Sequence, residues 1–362
     1  MKLKKIEIKN FRNIECETLE FSPNTTLIYG NNAEGKTNAV ESVYMFAHSK
    51  SFRRARERDL IKFGEEEAKL KAIFEEKGRE STFEINISRK NGKSFYYNRI
   101  KLEKMKEFFG HFLAVLFVPE YLKIIKNGPS ERRSFIDSAI CQIKPQYITS
   151  LFNYHRLCEE KNAVLKNYSS SESEKLLLEV YNERLVKGAA IISLERKKYL
   201  KLLEERVKVH FEKMSGGENI EFEFLPSGLS RVEEDYEEFY KNLFEKNLES
   251  DIRFSRMSGG AQFDDVEIRI NGVEARSFAS QGQQRSAVVA LKLAEGELIG
   301  EITKRNPVYL FDDILSELDE KRREYILSSL NDKQVIITSC QKDSYTDVYT
   351  YIASGGKYEK VQ

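Results

Sequence analysis

The chain has 362 residues, enough for two domains or for one domain with a large insertion. Its 59 basic and 58 acidic residues nearly cancel, which excludes a strongly charged protein, so any contact with nucleic acid must come from a local patch. The 4 cysteines form no C-x-x-C pair, and neither an apolar leader nor an apolar run of membrane-spanning length occurs. We therefore expect a cytoplasmic protein with reduced thiols and no membrane contact.

The N-terminal region is predicted to form strands at 3–9 and 18–22, and an apolar run at 26–29 then leads into a glycine-containing loop. The loop and the start of the helix after it read Gly30-Asn31-Asn32-Ala33-Glu34-Gly35-Lys36-Thr37-Asn38. This matches the phosphate-binding pattern G-x-x-x-x-G-K-[ST] between a strand and a helix, the context that distinguishes it from a plain surface loop. The following helix, marked by apolar residues at 40, 43, 44 and 47, is predicted to bury one face.

The residue types in this loop suit the phosphates of a nucleotide. Gly30 and Gly35 permit a tight turn whose backbone N–H groups point at phosphate oxygens, and the helix N-terminus adds partial positive charge. Lys36 is expected to contact the β- and γ-phosphates, and the Thr37 hydroxyl is expected to help hold Mg²⁺. No N-K-x-D motif for guanine occurs, so the predicted cofactors are ATP and Mg²⁺.

A basic segment follows at 49–58, with five Lys or Arg residues in ten positions. Two interpretations stay open for it: contact with the phosphates of DNA or of the nucleotide, or a solvated surface paired with acidic residues. Arg132-Arg133 is a second candidate for the same two roles.

The middle of the chain changes character twice. Residues 66–102 alternate in hydrophobicity and contain an Asn-Gly turn, which predicts an antiparallel meander, and 113–118 predicts a buried strand. Between Pro145 and Pro226 there is no proline, and helical periodicity over about 176–214 predicts an inserted helical arm, with the serines at 169–173 marking a turn. A strand at 266–270, a helix at 283–305, a strand at 308–311, a helix at 320–330 and a strand at 334–338 then predict a mainly parallel sheet.

Two acidic residues end the predicted strand at 308–311, in Val308-Tyr309-Leu310-Phe311-Asp312-Asp313. This is the Walker B arrangement, which places Asp312 at the carboxyl edge of the sheet beside the phosphate-binding loop. Asp312 is expected to hold Mg²⁺, and Asp313 to orient or deprotonate the attacking water.

A third motif, Ser280-Gln281-Gly282-Gln283, opens the helix at 283–305 and resembles the signature motif of ATP-binding-cassette (ABC) ATPases. Its hydroxyl, glycine N–H and helix N-terminus are expected to meet the γ-phosphate bound by a second copy of the chain. Ser316 and Asp319 match the D-loop of such a dimer interface. Two similar stretches, Met214-Ser215-Gly216-Gly217 and Met257-Ser258-Gly259-Gly260, do not open a helix and are predicted to be a cap and a turn.

The order and wording of these motifs resemble the RecF family of bacterial recombination-repair ATPases of the ABC/SMC-like class. The matching pieces are Asn10-Phe11-Arg12-Asn13, the loop at 30–38, Ser51-Phe52-Arg53, Pro119-Glu120, the stretch 128–137, Ser280 to Arg285 and the Walker B run. The chain departs from the family at Gly260-Ala261-Gln262-Phe263-Asp264-Asp265, where the family carries G-P-H-R-D-D, and it shows no clear Q-loop glutamine.

The resemblance implies a P-loop ABC-type ATPase head with an antiparallel meander and an inserted helical arm, an α/β fold. Its parts are predicted at 1–118 and 251–362, with the arm at 119–250. It also implies an ATP-dependent homodimer that clamps duplex or gapped DNA, opens on slow DNA-dependent hydrolysis, and works with RecO and RecR to load RecA. The alternatives are a transporter subunit, for which a switch histidine after Asp312 is missing, and an ATP-binding switch with little hydrolysis.

Overall fold

The computed structural model describes residues 1–229, 235–340 and 348–361. Two compact units divide the chain. The first comprises Met1–Leu122, Lys213–Gly216 and Arg285–Gln362, and the second comprises Lys123–Glu212 and Gly217–Gln284. The predicted arm at 119–250 includes residues 230–234, which lie outside the described part.

The described residues form fifteen strands. Their bounds are β1 Lys2–Phe11, β2 Ile14–Glu20, β3 Thr25–Tyr29, β4 Glu67–Glu76, β5 Arg79–Ser88, β6 Gly92–Tyr97, β7 Ile100–Leu102, β8 Ala114–Phe117, β9 Ile220–Leu225, β10 Asp265–Ile270, β11 Val273–Glu274, β12 Val308–Asp312, β13 Gln334–Ser339, β14 Val348–Ser354 and β15 Lys357–Lys360.

Ten α-helices lie within the same residues, together with five short 3₁₀ turns. The helices are α1 Lys36–His48, α2 Met105–Phe108, α3 Lys123–Lys126, α4 Pro129–Ile143, α5 Tyr147–Lys166, α6 Glu172–Ser215, α7 Tyr236–Phe254, α8 Ala275–Phe278, α9 Gln281–Thr303 and α10 Glu320–Ser329. Among the described residues, no helix combines the length and the apolar character that a membrane crossing needs.

The first unit contains two six-stranded sheets. One is antiparallel in the order β2-β1-β4-β5-β6-β7, so the predicted meander at 66–102 is present and β1 and β2 extend it. The other has the order β15-β14-β3-β13-β12-β8 and is parallel except at β15. The predicted α/β class, with strands alternating with helices around a mainly parallel sheet, is confirmed.

Helix α1 follows the phosphate-binding loop and packs against strands of both sheets. The prediction that it buries one face is therefore incomplete: eleven of its 13 residues are buried, from Lys36 to His48 except Thr37 and Asn38. A helix enclosed by two sheets has no solvent face, which explains why its apolar residues are not confined to one stripe.

The second unit contains the helices α3, α4, α5, α7 and α8, most of the 44-residue helix α6, and a small sheet in the order β11-β10-β9. Strand β9 was missed within the predicted helical arm, although Ile220, Phe222 and Phe224 alternate with glutamates. Strand β10 pairs with β9 along its whole length, and residues 251–284 lie in the second unit. The predicted boundary at 250 had instead grouped them with residues 285–362. The first boundary falls after Leu122 and not after residue 118.

A buried polar network around Asp264 holds the second unit together. The Asp264 carboxylate is fully buried and accepts hydrogen bonds from Arg196 at 2.9 Å, Ser193 at 2.7 Å, Tyr240 at 2.9 Å and the Ser227 N–H at 2.8 Å. The neighbouring Asp265 forms an ion pair with Arg132 of α4. Asp264 and Asp265, the two acids that this chain shares with the family's G-P-H-R-D-D stretch, therefore both have structural partners.

Candidate functional site

The phosphate-binding loop wraps around the side chain of Lys36. The Lys36 ammonium donates to the Gly30 carbonyl at 2.7 Å and to the Asn31 carbonyl at 2.9 Å, and only 4% of the residue is exposed. These contacts hold the charge at the first turn of α1, where unpaired backbone N–H groups already favour an anion. Lys36 is therefore fixed in advance at the place where a phosphate would bind.

Glycine is required at both ends of the loop. A Cβ on Gly30 would collide with the Ala353 carbonyl oxygen of β14, and Gly35 has a φ of +105° and lies close to Asn13. Between them, Ala33 has a φ of +68°, while Asn31, Asn32 and Ala33 are exposed to solvent. The loop thus keeps its outer residues accessible while its glycines meet the protein behind it.

The C-terminal hairpin of β14 and β15, which the sequence patterns did not predict, supports this loop from behind. The Gly356 N–H donates to the Glu34 carbonyl at 3.0 Å, the Gly355 N–H donates to the Glu34 carboxylate, and the Tyr358 hydroxyl donates to the Gly35 carbonyl at 2.7 Å. The alternating residues of 348–360 were a weak signal for this hairpin, and nothing local linked it to the loop.

Asp312 ends the buried strand β12 beside the loop. Its Oδ1 accepts hydrogen bonds from the Thr37 hydroxyl at 3.0 Å and from the Thr338 hydroxyl at 2.8 Å. The pKa of Asp312 is raised to about 6, chiefly by burial and in smaller part by the nearby charge of Asp313, while the two hydroxyls oppose the rise. Thr37 and Asp312, the two residues predicted to hold Mg²⁺, therefore lie within hydrogen-bond distance of each other, although they come from segments 275 residues apart.

The donor set at this point suits Mg²⁺. A threonine hydroxyl and a carboxylate lie within hydrogen-bond distance of each other, and hard oxygen ligands are what Mg²⁺ prefers. A cation there would also offset the cost of burying a charged Asp312 next to a second carboxylate. Among the described residues, no cluster of three or more acidic, His or Cys side chains that could hold a metal ion occurs.

Asp313 stands at the mouth of the same cleft. Its backbone adopts a left-handed φ of +52°, its N–H donates to the Thr338 hydroxyl at 3.0 Å, and its side chain lines the cleft with Lys36 and Thr37. The thiol of Cys340, which the sequence analysis did not single out, lies 3.6 Å from the Lys36 nitrogen and 2.9 Å from the Asn32 amide oxygen. Strand β13 and the residue directly after it thus bring Thr338 and Cys340 to the edge that β12 and the loop share.

The cleft in front of the loop has a volume of about 1150 Å³ and a cationic lining. Its basic residues are Arg12, Lys36, Arg53, Arg58, Lys62 and Arg89, against the acids Asp59 and Asp313. Arg53 donates to the Asn38 amide oxygen at 3.0 Å, so part of the basic segment at 49–58 reaches the nucleotide loop. Arg132, by contrast, is buried and paired with Asp265 at 2.7 Å, which favours a structural role for it.

Glu41, a residue that sequence reasoning passed over, organises the arginines of this cleft. It is fully buried on α1, and its carboxylate accepts two hydrogen bonds from Arg12, at 2.7 and 2.8 Å, and one from the Ser51 hydroxyl. Arg53 lies 3.8 Å from the same carboxylate. One buried acid therefore joins two motifs, N-F-R-N and S-F-R, that are far apart in the chain.

Replacing Glu41 with glutamine should lower the free energy of unfolding by about 3 kcal/mol, because Arg12 would lose a bidentate, largely buried ionic partner. Urea unfolding followed by circular dichroism measures this. The matched control is Glu15→Gln, since Glu15 pairs with Lys62 at 2.9 Å but is 82% exposed. The control should change stability by less than about 1 kcal/mol, and equal effects of the two variants would contradict the structural role of Glu41.

The signature residues belong to the second unit, and the helix they open continues into the first. Ser280 is exposed, and its hydroxyl accepts a hydrogen bond from the Gln283 N–H at 3.2 Å while the Gln283 side chain accepts from the Ser280 N–H at 2.8 Å. This reciprocal capping starts α9 at Gln281, with Gly282 in its first turn. The predicted helix start at 283 therefore moves back by about one half-turn.

The D-loop residues lie after β12 in the first unit. Ser316 is exposed and donates to the Asp313 carbonyl at 2.8 Å, and exposed Asp319 caps α10 by accepting from the Arg322 N–H at 3.0 Å. A short, capped connection thus carries the chain from the Walker B acids to an exposed turn.

The chain is similar to known proteins in sequence and in structure. The family model described as the RecF/RecN/SMC N terminal domain matches residues 2–355. The chain is 37% identical over 368 residues to the DNA replication and repair protein RecF of Clostridium botulinum (strain Loch Maree / Type A3), covering 100% of both chains. It is 38% identical over 339 residues to the protein of the same description from Clostridium acetobutylicum, covering 93% of this chain and 92% of the relative.

Solved structures show the same likeness. The structure described as the recombination mediator protein RecF-ATP in the RecFOR pathway matches with a TM-score of 0.93 and 34% identity, over 100% of this chain and 98% of that one. A Smc head domain from Pyrococcus furiosus matches with a TM-score of 0.56 and 18% identity, over 99% and 96% of the two chains, and shares the fold alone.

Proposed function

Because this chain belongs to the RecF family of ATP-binding DNA replication and repair proteins, we propose that ATP joins two copies of it into a dimer that clamps duplex DNA, and that slow hydrolysis opens the dimer again. The observation that carries this proposal is the convergence of Lys36, Thr37, Asp312 and Asp313 at one sheet edge. Membership of this ATPase family supports ATP hydrolysis in general. The DNA dependence and the slow rate are specific to the proposal.

Different residues at this edge would bind the nucleotide and take part in its hydrolysis. Residues 30–38 bind the phosphates through backbone N–H groups, with Lys36 on the terminal phosphates. Thr37 and Asp312 would hold Mg²⁺, which when bound neutralises phosphate charge. Asp313 would orient the attacking water, and its side chain is one methylene shorter than the glutamate usual in ABC ATPases, which favours slow turnover.

A second copy of the chain would complete each site. Ser280 and Gly282 lie at an exposed helix N-terminus, and Ser316 and Asp319 lie on an exposed turn after the Walker B acids. An exposed helix N-terminus can meet an anion carried by another molecule. Such composite sites make hydrolysis depend on dimer formation, so the nucleotide state would set whether the clamp is closed.

The partners follow from the family. One relative is described as a recombination mediator in the RecFOR pathway, and by this likeness we propose that the present chain acts at gapped or junction DNA with RecO and RecR, assisting RecA loading. A DNA clamp of this kind would work in the cytoplasm. The exposed residues of the basic segment at 49–58 that do not line the nucleotide cleft are the candidate DNA contact in the first unit, because Arg132 and Arg133 are engaged within the second.

ATP hydrolysis across protein concentrations, with and without duplex DNA, tests the proposal. We expect a specific activity that rises with protein concentration and rises again with DNA, because only the dimer has complete sites. A rate strictly proportional to protein and indifferent to DNA would remove the clamp mechanism.

A mixing experiment isolates the composite site. Lys36→Ala damages the loop and Ser280→Arg damages the signature, so each variant alone should be inactive. A 1:1 mixture should recover about a quarter of the wild-type rate, since half of the dimers then carry one intact site out of two. No recovery, with both variants folded and the mixed dimer detected, would mean that the signature does not serve a neighbouring subunit.

A further inference from the structure

An exposed phenylalanine stands in the cationic cleft. Phe63 exposes 97% of its surface, more than any other large apolar side chain among the described residues, so it adds nothing to the core. It lines the cleft with Arg58, Lys62 and Arg89. Aromatic rings with a cationic rim are suited to flat, electron-rich ligands, which they bind by stacking.

The turn that carries Phe63 is firmly anchored. The Glu65 N–H donates to the Lys62 carbonyl at 3.0 Å, closing a four-residue turn in which Gly64 is left-handed. The Lys62 N–H donates to the Asn10 carbonyl at 2.8 Å, and the Arg89 side chain donates to the Glu65 carbonyl at 2.9 Å. Phe63 is therefore presented at the tip of a turn that the sheet holds from both sides, and not on a loose segment.

A line of contacts connects this turn to the phosphate-binding loop. Asn38 of the loop contacts Arg53 at 3.0 Å and Asn13 at 2.7 Å, and the neighbouring Arg12 donates to the Asp59 carbonyl at 2.9 Å, four residues before Phe63. The same cleft includes Lys36 and Phe63, and its volume of about 1150 Å³ exceeds what phosphates alone would fill. One ligand with an anionic end and an aromatic end matches this lining.

We propose that Phe63 is the base-recognition residue of the nucleotide site, with the adenine of bound ATP stacked on its ring. The inference rests on the proposed binding of ATP at the loop. It adds recognition of the adenine base, because residues 30–38 would contact the phosphates and give no preference for a base. Arg58 and Arg89 flank the stacked base on the cleft wall. Phe63 then contributes affinity for nucleosides and none for inorganic polyphosphate.

The first experiment compares ligands. Phe63→Ala should weaken binding of ATP and ADP roughly tenfold, the usual effect of removing one base-stacking ring, while leaving binding of inorganic tripolyphosphate unchanged. Isothermal calorimetry on wild type, F63A and Lys36→Ala measures both ligands. Unchanged ATP affinity in F63A, or an equal loss for tripolyphosphate, would overturn the stacking role. Equal ATP binding by wild type and Lys36→Ala would overturn the nucleotide site itself and the stacking proposal with it.

The second experiment uses the absence of tryptophan from the sequence. Phe63→Trp places the only indole in the cleft, and its fluorescence should be quenched by ATP and not by tripolyphosphate. The matched control is Phe152→Trp, at a 66% exposed phenylalanine of α5, which should respond to neither. Quenching of F63W by a DNA oligonucleotide in place of ATP, or by raising protein concentration without nucleotide, would assign the ring to nucleic acid or to a second subunit and overturn the proposal.

Discussion

Replacing Lys36 with alanine is expected to lower the rate of ATP hydrolysis at least about 100-fold, because a preorganised cation on the terminal phosphates contributes most where charge develops in the transition state. The two carbonyls of Gly30 and Asn31 that hold the ammonium would be left without this donor. That loss should cost no more than about 3 kcal/mol of folding stability, so the fold should persist. Steady-state hydrolysis, with circular dichroism as the check on folding, measures both effects.

A matched control separates this effect from a general loss of charge. Lys69 lies on β4 with its side chain 58% exposed, so Lys69→Ala removes the same charge outside the cleft and should hydrolyse ATP like wild type. Lys36→Arg should also be impaired, since the longer planar guanidinium does not fit between the two carbonyls. Activity of Lys36→Ala within threefold of wild type would show that Lys36 is not the phosphate-binding lysine.

The phosphate-binding loop and the Walker B strand could be predicted because the functional residues of each motif are contiguous in the sequence. A strand, a glycine-framed loop and a helix with Lys36 and Thr37 at its start leave few alternatives. The strand ending at Asp312 is similarly local. Their meeting through the 3.0 Å hydrogen bond between Thr37 and Asp312 was expected from the general rule that parallel strands bring their carboxyl ends to one edge.

What escaped prediction depends on pairing between distant segments. Strand β9 is an alternating run of six residues inside a helical region, and its partner β10 lies about forty residues later. The hairpin of β14 and β15 supports the nucleotide loop from more than three hundred residues away. Local pattern shows neither partnership, and this is why the predicted boundary at 250 separated two paired strands.

The sequence patterns also failed to identify buried charged residues that position the site. Glu41 lies among apolar residues of α1, and only the structure shows that it binds Arg12 and Ser51 and so positions the arginines of the cleft. An acid inside an otherwise apolar helix is a usable signal, because such a residue is seldom buried without a cationic partner. Reading Glu41 together with Arg12 and Arg53 would have predicted the pair.

Replacing Asp264 with alanine is expected to give the largest loss of stability, about 3–5 kcal/mol, because it removes one partner of a buried charge. Arg196 is 1% exposed and divides its donors between Asp264 and Asp137, so the variant leaves part of a buried guanidinium unpaired. Ser193 and Tyr240 lose their acceptor in the same step. Urea unfolding of the full chain measures the change.

The milder variant Asp264→Asn keeps the shape and one acceptor oxygen, so it should lose less than alanine and stays measurable if the alanine variant fails to fold. Glu160→Gln is the control, since Glu160 pairs with Arg156 on an exposed face at 3.6 Å and should change stability by less than about 1 kcal/mol. An Asp264→Asn protein as stable as wild type would show that the charge is dispensable. The acids that this chain retains in the 260–265 stretch would then have a role other than stabilising the fold. Gln262 and Phe263, which replace the family's His and Arg in the same stretch, would be expected to affect that role. A large loss instead assigns Asp264 to the architecture of the second unit.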